Sequence, residues 1–477
     1  MAKAHILFLA TLFTAILVSC SPSPSLNQND DLPPLKENEF YAQNMETEKY
    51  YKVKAEIIYE GDKCVIWAEE DSGITPEKAE EIADKYDTII RPKVVETFSM
   101  KNFNVKEGDE IYHFDNMLDY ANALAGREDK KLTILLLDIK DNFKDQEKDS
   151  YVAGYFFGGN FYPPGKIKGT KHYSNGRDMI YVDTYPGLEK KPEQTYATFA
   201  HELQHLINFV TRVSVQMNSK YLYLMDTWVD EGLSSQAEYL YLEKNPPEKC
   251  EWFKEDTEGT IAQGNNFFVW DNHREKPLAI LDDYATVYLF FRWLYLQADT
   301  ALQSHIFLDI ETSNYLDYRA VTNAAGEINT SWKNWETLLR TWLAANYYPK
   351  NSYGYTGDDY LQTITVKPIA EKTISLYPGE GVYSIINDPF SSTGTNIYIR
   401  YAGLANNQTA IITSPPYTGN VLLTFNANTS NTAAREAGSL TGVSPAVSPT
   451  AARNVQTGTL TGPFVLDARD MLERAHR

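Results

Sequence analysis

The sequence predicts an α+β protein whose strands and helices occupy different stretches of the chain. Three observations carry this reading. Val53 to Tyr59 and Cys64 to Ala68 are β-branched and aromatic runs; apolar residues recur at helical spacing from residue 79 to 90 and again after residue 195; and beyond residue 360 the texture changes to alternating Thr, Ile, Tyr and Gly. The 477 residues suffice for more than one domain, and 43% hydrophobic residues with 13% aromatic ones are enough for a packed core.

The first twenty residues read as an export signal, with basic Lys3 followed by an apolar stretch, Ile6 to Val18, too short to span a bilayer. It ends in Leu17-Val18-Ser19-Cys20, which is similar to a bacterial lipobox and would make Cys20 a lipid-anchoring residue. An ordinary secretory signal containing a cysteine is the plainer alternative. Residues 21–40, with Ser21-Pro22-Ser23-Pro24-Ser25 and Pro33-Pro34, read as a flexible tether to an extracytoplasmic body at 41–360.

Within that body the two β runs are separated by Glu60-Gly61-Asp62-Lys63, which predicts a hairpin. Thr75 and Pro76 then open a helix whose Ala79, Ile82, Ala83, Tyr86, Ile89 and Ile90 share a face. Strands are expected at Leu132 to Leu137, Tyr151 to Tyr162 and Met179 to Val182, and a helix from about Thr195. Tyr284 to Leu296 and the series Trp332, Trp335, Leu338, Leu339, Trp342 and Leu343 read as core helices. A small β domain is expected at 361–425, where the remainder of the chain carries 8 Lys/Arg against 7 Asp/Glu, and an Ala/Ser/Thr/Pro-rich tail at 426–477.

A net charge of −20 argues against nucleic acid as a partner, since polyanion binding needs clustered Lys and Arg. Beyond Cys20 only Cys64 and Cys250 remain, too few for a structural zinc site. One disulfide or two free thiols are both open to them.

The chemistry lies in His201-Glu202-Leu203-Gln204-His205. Residues four apart share a helix face, so both imidazoles can reach one ion, with Glu202 about 100° round from them. Phe199, Leu203, Leu206 and Val210 fall on the opposite face, which should lie in the core and turn the histidines toward a cleft. A surface helix with two solvated histidines would give the same pattern, so context must supply specificity. Zinc hydrolase sites usually add a third protein ligand. Asn208 and Thr211 stand where the metzincin extension requires Gly and His, which excludes that class. Downstream, Trp228-Val229-Asp230-Glu231-Gly232-Leu233-Ser234-Ser235-Gln236-Ala237-Glu238 reads as a second helix with its buried side at Val229, Leu233, Ala237 and Leu240, beginning at Glu231. Glu231 and Glu238 lie two turns apart on nearly one face, and spacing leaves both as candidate ligands.

Together, His201 to Asn208 and Trp228 to Ser234 resemble the glutamate zincins, most closely the hyicolysin family of bacterial secreted metallopeptidases, across about residues 50 to 350. The resemblance implies a zincin-like catalytic domain with a mixed β-sheet lobe and a helical lobe. It implies one catalytic Zn2+ held by His201, His205 and Glu231. The activity implied is that of an endopeptidase on protein or peptide substrates. Zinc would polarise the scissile carbonyl and lower the pKa of water toward about 7, while Glu202, as general base, takes the proton and passes it to the leaving amine. Gly154 to Phe161 would then be an edge strand receiving the substrate, or else an internal strand with a bulge. Asp230 replaces the Asn of the thermolysin-like branch, leaving two roles open: orienting His201 or His205, or capping the helix.

His273, Tyr284 and Tyr288 are candidate donors to an oxyanion. The acidic loop with Asp138, Asp141, Asp145, Glu147 and Asp149 lacks EF-hand spacing and reads as solvated rather than calcium-binding. Two other classes fit the same residues: a surface lipoprotein that binds without catalysing, and a zinc hydrolase of cell-wall amide bonds.

Overall fold

The computed structural model describes residues 31–107, 110–141, 143–144, 151–216, 219, 222–255, 263–265, 267–270, 280–369, 373–385, 400–403, 409–414, 416 and 423–426. Cys20, expected from the sequence to carry a lipid anchor, the loop residues 145–150, His273 and the tail beyond 426 lie outside them. The chain is α+β, as the sequence predicts, and divides into two compact units whose boundary passes twice through the neighbourhood of one helix: 237–244 belong with the N-terminal unit, 225–236 and the described residues from 245 to 426 with the other.

The N-terminal unit opens with β1 (Glu39–Gln43), β2 (Tyr50–Glu60) and β3 (Cys64–Glu69). Helix α1 (Pro76–Lys85) begins where Thr75 accepts a hydrogen bond from the Lys78 amide, with Pro76 in the first turn. It runs through a π-helical stretch at Tyr86–Ile90 into α2 (Arg91–Phe98). A hairpin of β4 (Lys101–Glu107) and β5 (Glu110–Asn116), helix α3 (Met117–Leu124) and strand β6 (Leu132–Leu137) follow. The short strands β7 (Gly154–Phe156), β8 (Gly165–Lys166) and β9 (Tyr173–Ser174) lead to β10 (Met179–Asp183) and the long helix α4 (Pro192–Val215). Helix α5 (Thr227–Leu242) spans the boundary between the units.

Six strands form one sheet in the order β1-β2-β3-β6-β10-β7. Strands β3, β6 and β10 run parallel at its centre, and every residue of β6 is buried, as its unbroken apolar run Leu-Thr-Ile-Leu-Leu-Leu requires. Val65, Trp67, Leu135, Leu137, Tyr155, Met179 and Tyr181 build the core on one face. Alternation sends their neighbours to the other face, where α4 packs on β7 and β10 and beside α2 and α3. Ahead of β1, the Leu32 amide donates to the Tyr173 hydroxyl, and Pro33 and Pro34 accept from Tyr41 and Lys52.

The stretch expected to be one strand from Tyr151 to Tyr162 is a strand only at Gly154–Phe156, and Gly158–Phe161 is a 3-10 turn. A Cβ on Gly158 would meet the Phe209 ring at 2.5 Å, and one on Gly159 the Phe157 ring at 2.2 Å, so the chain bends against aromatic faces that only glycine can approach. Asn160 fixes the bend through Asn175 and Tyr181. The expected edge strand is therefore β7 alone, the outermost strand of the sheet, paired antiparallel with β10.

In the other unit, α6 (Pro247–Glu255), β11 (Gly264–Asn265), α7 (Ile280–Gln297), α8 (Thr300–Gln303), α9 (Ile306–Glu311), α10 (Tyr318–Ile328) and α11 (Trp335–Tyr347) precede five strands. These are β12 (Thr373–Leu376), β13 (Gly381–Ile385), β14 (Arg400–Gly403), β15 (Thr409–Thr413) and β16 (Leu423–Asn426). They pair as β11-β13-β15-β14 and β12-β16. Trp335 and Trp342 are core residues: the Trp335 indole donates to Gly379 O and that of Trp342 to the Tyr355 hydroxyl. Trp332 is also buried, although it sits in a 3-10 turn ahead of α11. Among the described residues no helix is long and apolar enough to cross a membrane.

Candidate metal centre

Helix α4 begins with Pro192, whose missing N–H costs nothing in a first turn, and carries Glu193 near its positive end and Arg212 near its negative end. Phe199, Leu203, Leu206 and Val210 are fully buried, as the sequence predicts. The other side is also enclosed: His201 and Glu202 are 0% exposed, and between residues 195 and 213 His205 alone is more than marginally accessible. The amphipathic expectation is thus too simple, because α4 runs between the sheet and α2 and α3 rather than over a surface.

The two imidazoles converge as four-residue spacing requires. His205 Nε2 lies 3.1 Å from His201 Nε2, with the rings 74° apart. On its other side His201 Nδ1 stands 2.6 Å from Glu238 Oε1, a carboxylate that can only accept. The Nδ1 proton is thereby committed to Glu238, and Nε2 presents a lone pair toward His205. Two nitrogens bound tetrahedrally to zinc at about 2.0–2.1 Å stand roughly 3.3 Å apart, so the observed spacing suits a shared ion with little adjustment.

Glu231 and Glu238 belong to the same helix, α5, which starts at Thr227, one turn earlier than expected. Seven residues bring a helix back to nearly the same face, so α5 presents both carboxylates along one side. The ligand atoms of His201, His205 and Glu231 all lie within 4.8 Å of one another. Two imidazoles and a carboxylate form a group that can hold an ion, and the set is that of hydrolytic zinc sites. The partner of His201 Nδ1 is Glu238, and Asp230 sits inside the first turn of α5, its amide bonded to Asp226 O and its carbonyl accepting from Ser234 Oγ.

Glu202 lies beside β7: a Cβ placed on Gly154 would come within 3.6 Å of Glu202 Cγ. Of the candidate oxyanion donors, Tyr284 and Tyr288 are buried on α7, and the Tyr288 hydroxyl donates to Asn245 Oδ1 at 2.7 Å. At the acidic loop, Asp141 accepts from the amides of Phe143 and Val152, closing the loop on itself. Cys64 and Cys250 are free and buried. Sequence reasoning left the bond from Glu238 to His201 undetected. The seven-residue interval from Glu231 was visible, but only the folded chain shows that Glu238 is the carboxylate that meets the His201 ring.

No family model matches the chain. It is similar to the neutral metalloprotease ShpI of Staphylococcus hyicus, with 29% identity over 354 residues that cover 71% of this chain and 69% of that protein.

Proposed function

We propose that the chain is a zinc-dependent endopeptidase of the hyicolysin-like, glutamate-zincin type. In this reading His201, His205 and Glu231 hold one zinc ion and Glu202 is the general base. The observation that carries it is the meeting of two imidazole nitrogens 3.1 Å apart, one of them oriented from behind by a carboxylate. The similarity to a neutral metalloprotease supports the same reading and points to protein or peptide substrates.

Zinc, when bound, supplies Lewis acidity that polarises a carbonyl and brings the pKa of water near about 7. The chain's own residues do the rest. Glu202, one position after His201 and 0% exposed, takes a proton from the attacking water and delivers it to the leaving amine. Its enclosure keeps the carboxylate out of bulk solvent. Strand β7 lies next to Glu202 and is the segment along which an extended peptide would align.

Leu17-Val18-Ser19-Cys20 supports a lipid anchor at Cys20 on the extracytoplasmic side of a membrane. Mass analysis of the mature N-terminus would show a diacylglyceryl group or its absence.

The decisive experiment pairs metal analysis with hydrolysis of casein by wild type and Glu202→Gln. One zinc per chain is expected in both proteins, with kcat reduced roughly 10²–10⁴-fold in the variant. Wild-type activity that survives stoichiometric removal of zinc would overturn the proposal.

A further inference from the structure

Resting on the zinc reading above, we infer that Glu238 is the positioning residue of the metal centre, holding His201 in the one tautomer and ring orientation that can ligate. The Glu238 carboxylate is 3% exposed and lies 2.6 Å from Nδ1 of an imidazole that is itself 0% exposed. A charge buried that deeply is tolerated where a donor satisfies it, and here the donor is the ring N–H.

The neutral imidazole has one proton. With that proton at Nδ1, the Nε2 lone pair faces His205 Nε2 at 3.1 Å, and Glu231 belongs to the same group of ligand atoms, all within 4.8 Å of one another. The opposite tautomer would leave Glu238 Oε1 against a bare nitrogen and point an N–H into the coordination space. Glu238 thus excludes the non-ligating form of His201. As a full carboxylate it also increases the electron density at Nε2, which strengthens ligation.

The arrangement follows from a single helix. Glu231 and Glu238 are seven residues apart on α5, about 10.5 Å along its axis and only about 20° apart around it. One face of α5 therefore supplies a ligand to the ion and, two turns on, the support for another ligand. Neither residue can be shifted by one position without leaving that face.

The test is the zinc affinity of the full chain, measured by competition with a chromophoric chelator, for wild type, Glu238→Gln, Glu238→Ala and His205→Ala, with circular dichroism as the check on folding. Gln keeps an acceptor for Nδ1–H but loses the charge, so about tenfold weaker binding is expected; Ala loses both, and up to about 100-fold is expected. The visible spectrum of the cobalt-substituted protein should change in both Glu238 variants, because the ligand field at His201 changes. A merely structural Glu238 would leave that spectrum alone. Wild-type zinc affinity and cobalt spectrum in both Glu238 variants, alongside loss of binding in His205→Ala, would overturn the role of Glu238 and leave the zinc reading standing. Wild-type protein that binds zinc no better than His205→Ala would overturn the zinc reading itself, and this inference with it. Should Glu238→Ala fail to fold, the near-isosteric Gln variant decides by the same two measurements.

Discussion

Gly154 of β7 and Glu202 of α4 face each other so closely that a methyl group on Gly154 would reach within 3.6 Å of Glu202 Cγ, 2.9 Å of Thr198 Cγ2 and 2.8 Å of the Tyr181 carbonyl oxygen. The last of these is backbone in the neighbouring strand and cannot rotate away. Gly154→Ala should therefore push β7 from β10 or from α4, costing about 1–3 kcal/mol in urea unfolding. It should also depress peptide hydrolysis beyond what the unfolded fraction explains, because Glu202 moves with α4. An unchanged unfolding midpoint would mean that the strand and helix are not packed as described.

His205 supplies one of the two converging nitrogens and is the least enclosed residue in the middle of α4. Replacing it with Ala removes a ligand without exposing much core, so the helix should persist while zinc content drops from one per chain to a small fraction of that. Atomic emission on the dialysed protein gives the content, and far-ultraviolet circular dichroism gives the helix. Full zinc occupancy in His205→Ala would place the ion elsewhere.

Much of this architecture is legible in the residues because it rests on local periodicity. Thr75-Pro76 marks the start of α1, Leu132 to Leu137 announces a strand buried on both faces, and four-residue spacing puts His201 and His205 together. What escapes is set by packing between distant segments. Tyr155-Phe156-Phe157 has strand character that extends the expected strand too far, because nothing local reveals that Phe209 and Phe157 occupy the space beside Gly158 and Gly159. The β4–β5 hairpin is not among the elements expected, although Asn102-Phe103-Asn104-Val105-Lys106 alternates polar and apolar residues as a half-buried strand does. Glu231 is singled out by similarity to a family motif, whereas Glu238 needs the angle between two helices.

Cys64 and Cys250 are each 0% exposed, and burial holds both thiols well above the ordinary cysteine range. At Cys64 the neighbouring Asp87 carboxylate pushes in the same direction. Since the thiolate is the reactive form, neither should be modified by a thiol-specific disulfide reagent in native protein carrying Cys20→Ser. Both should react after denaturation in urea without reductant. Two equivalents released from the denatured chain and close to none from the native one is the expected count. A denatured chain that releases none would mean that the two cysteines are paired.

His172 sets part of the acid response of the N-terminal unit. Its ring is 7% exposed and sits 3.1 Å from the Tyr50 hydroxyl, against Phe157. Burial, followed by the nearby Lys171 charge and opposed by Glu48, lowers its pKa from 6.5 to about 4. The unfolded chain therefore binds a proton that the folded one refuses between these two values, and stability rises with pH wherever the unfolded state holds more protons. The contribution of neutral His172 is complete above about pH 6.5 and falls away as pH drops toward 4, amounting at most to about 3 kcal/mol. His172→Gln keeps a hydrogen-bonding group near Tyr50 but has no proton to gain. The variant should be the less stable protein at pH 7 and lose that disadvantage, or reverse it, by pH 4, as read from urea unfolding at both values. A difference between variant and wild type that stays constant across this range would show that the ring titrates normally in the fold.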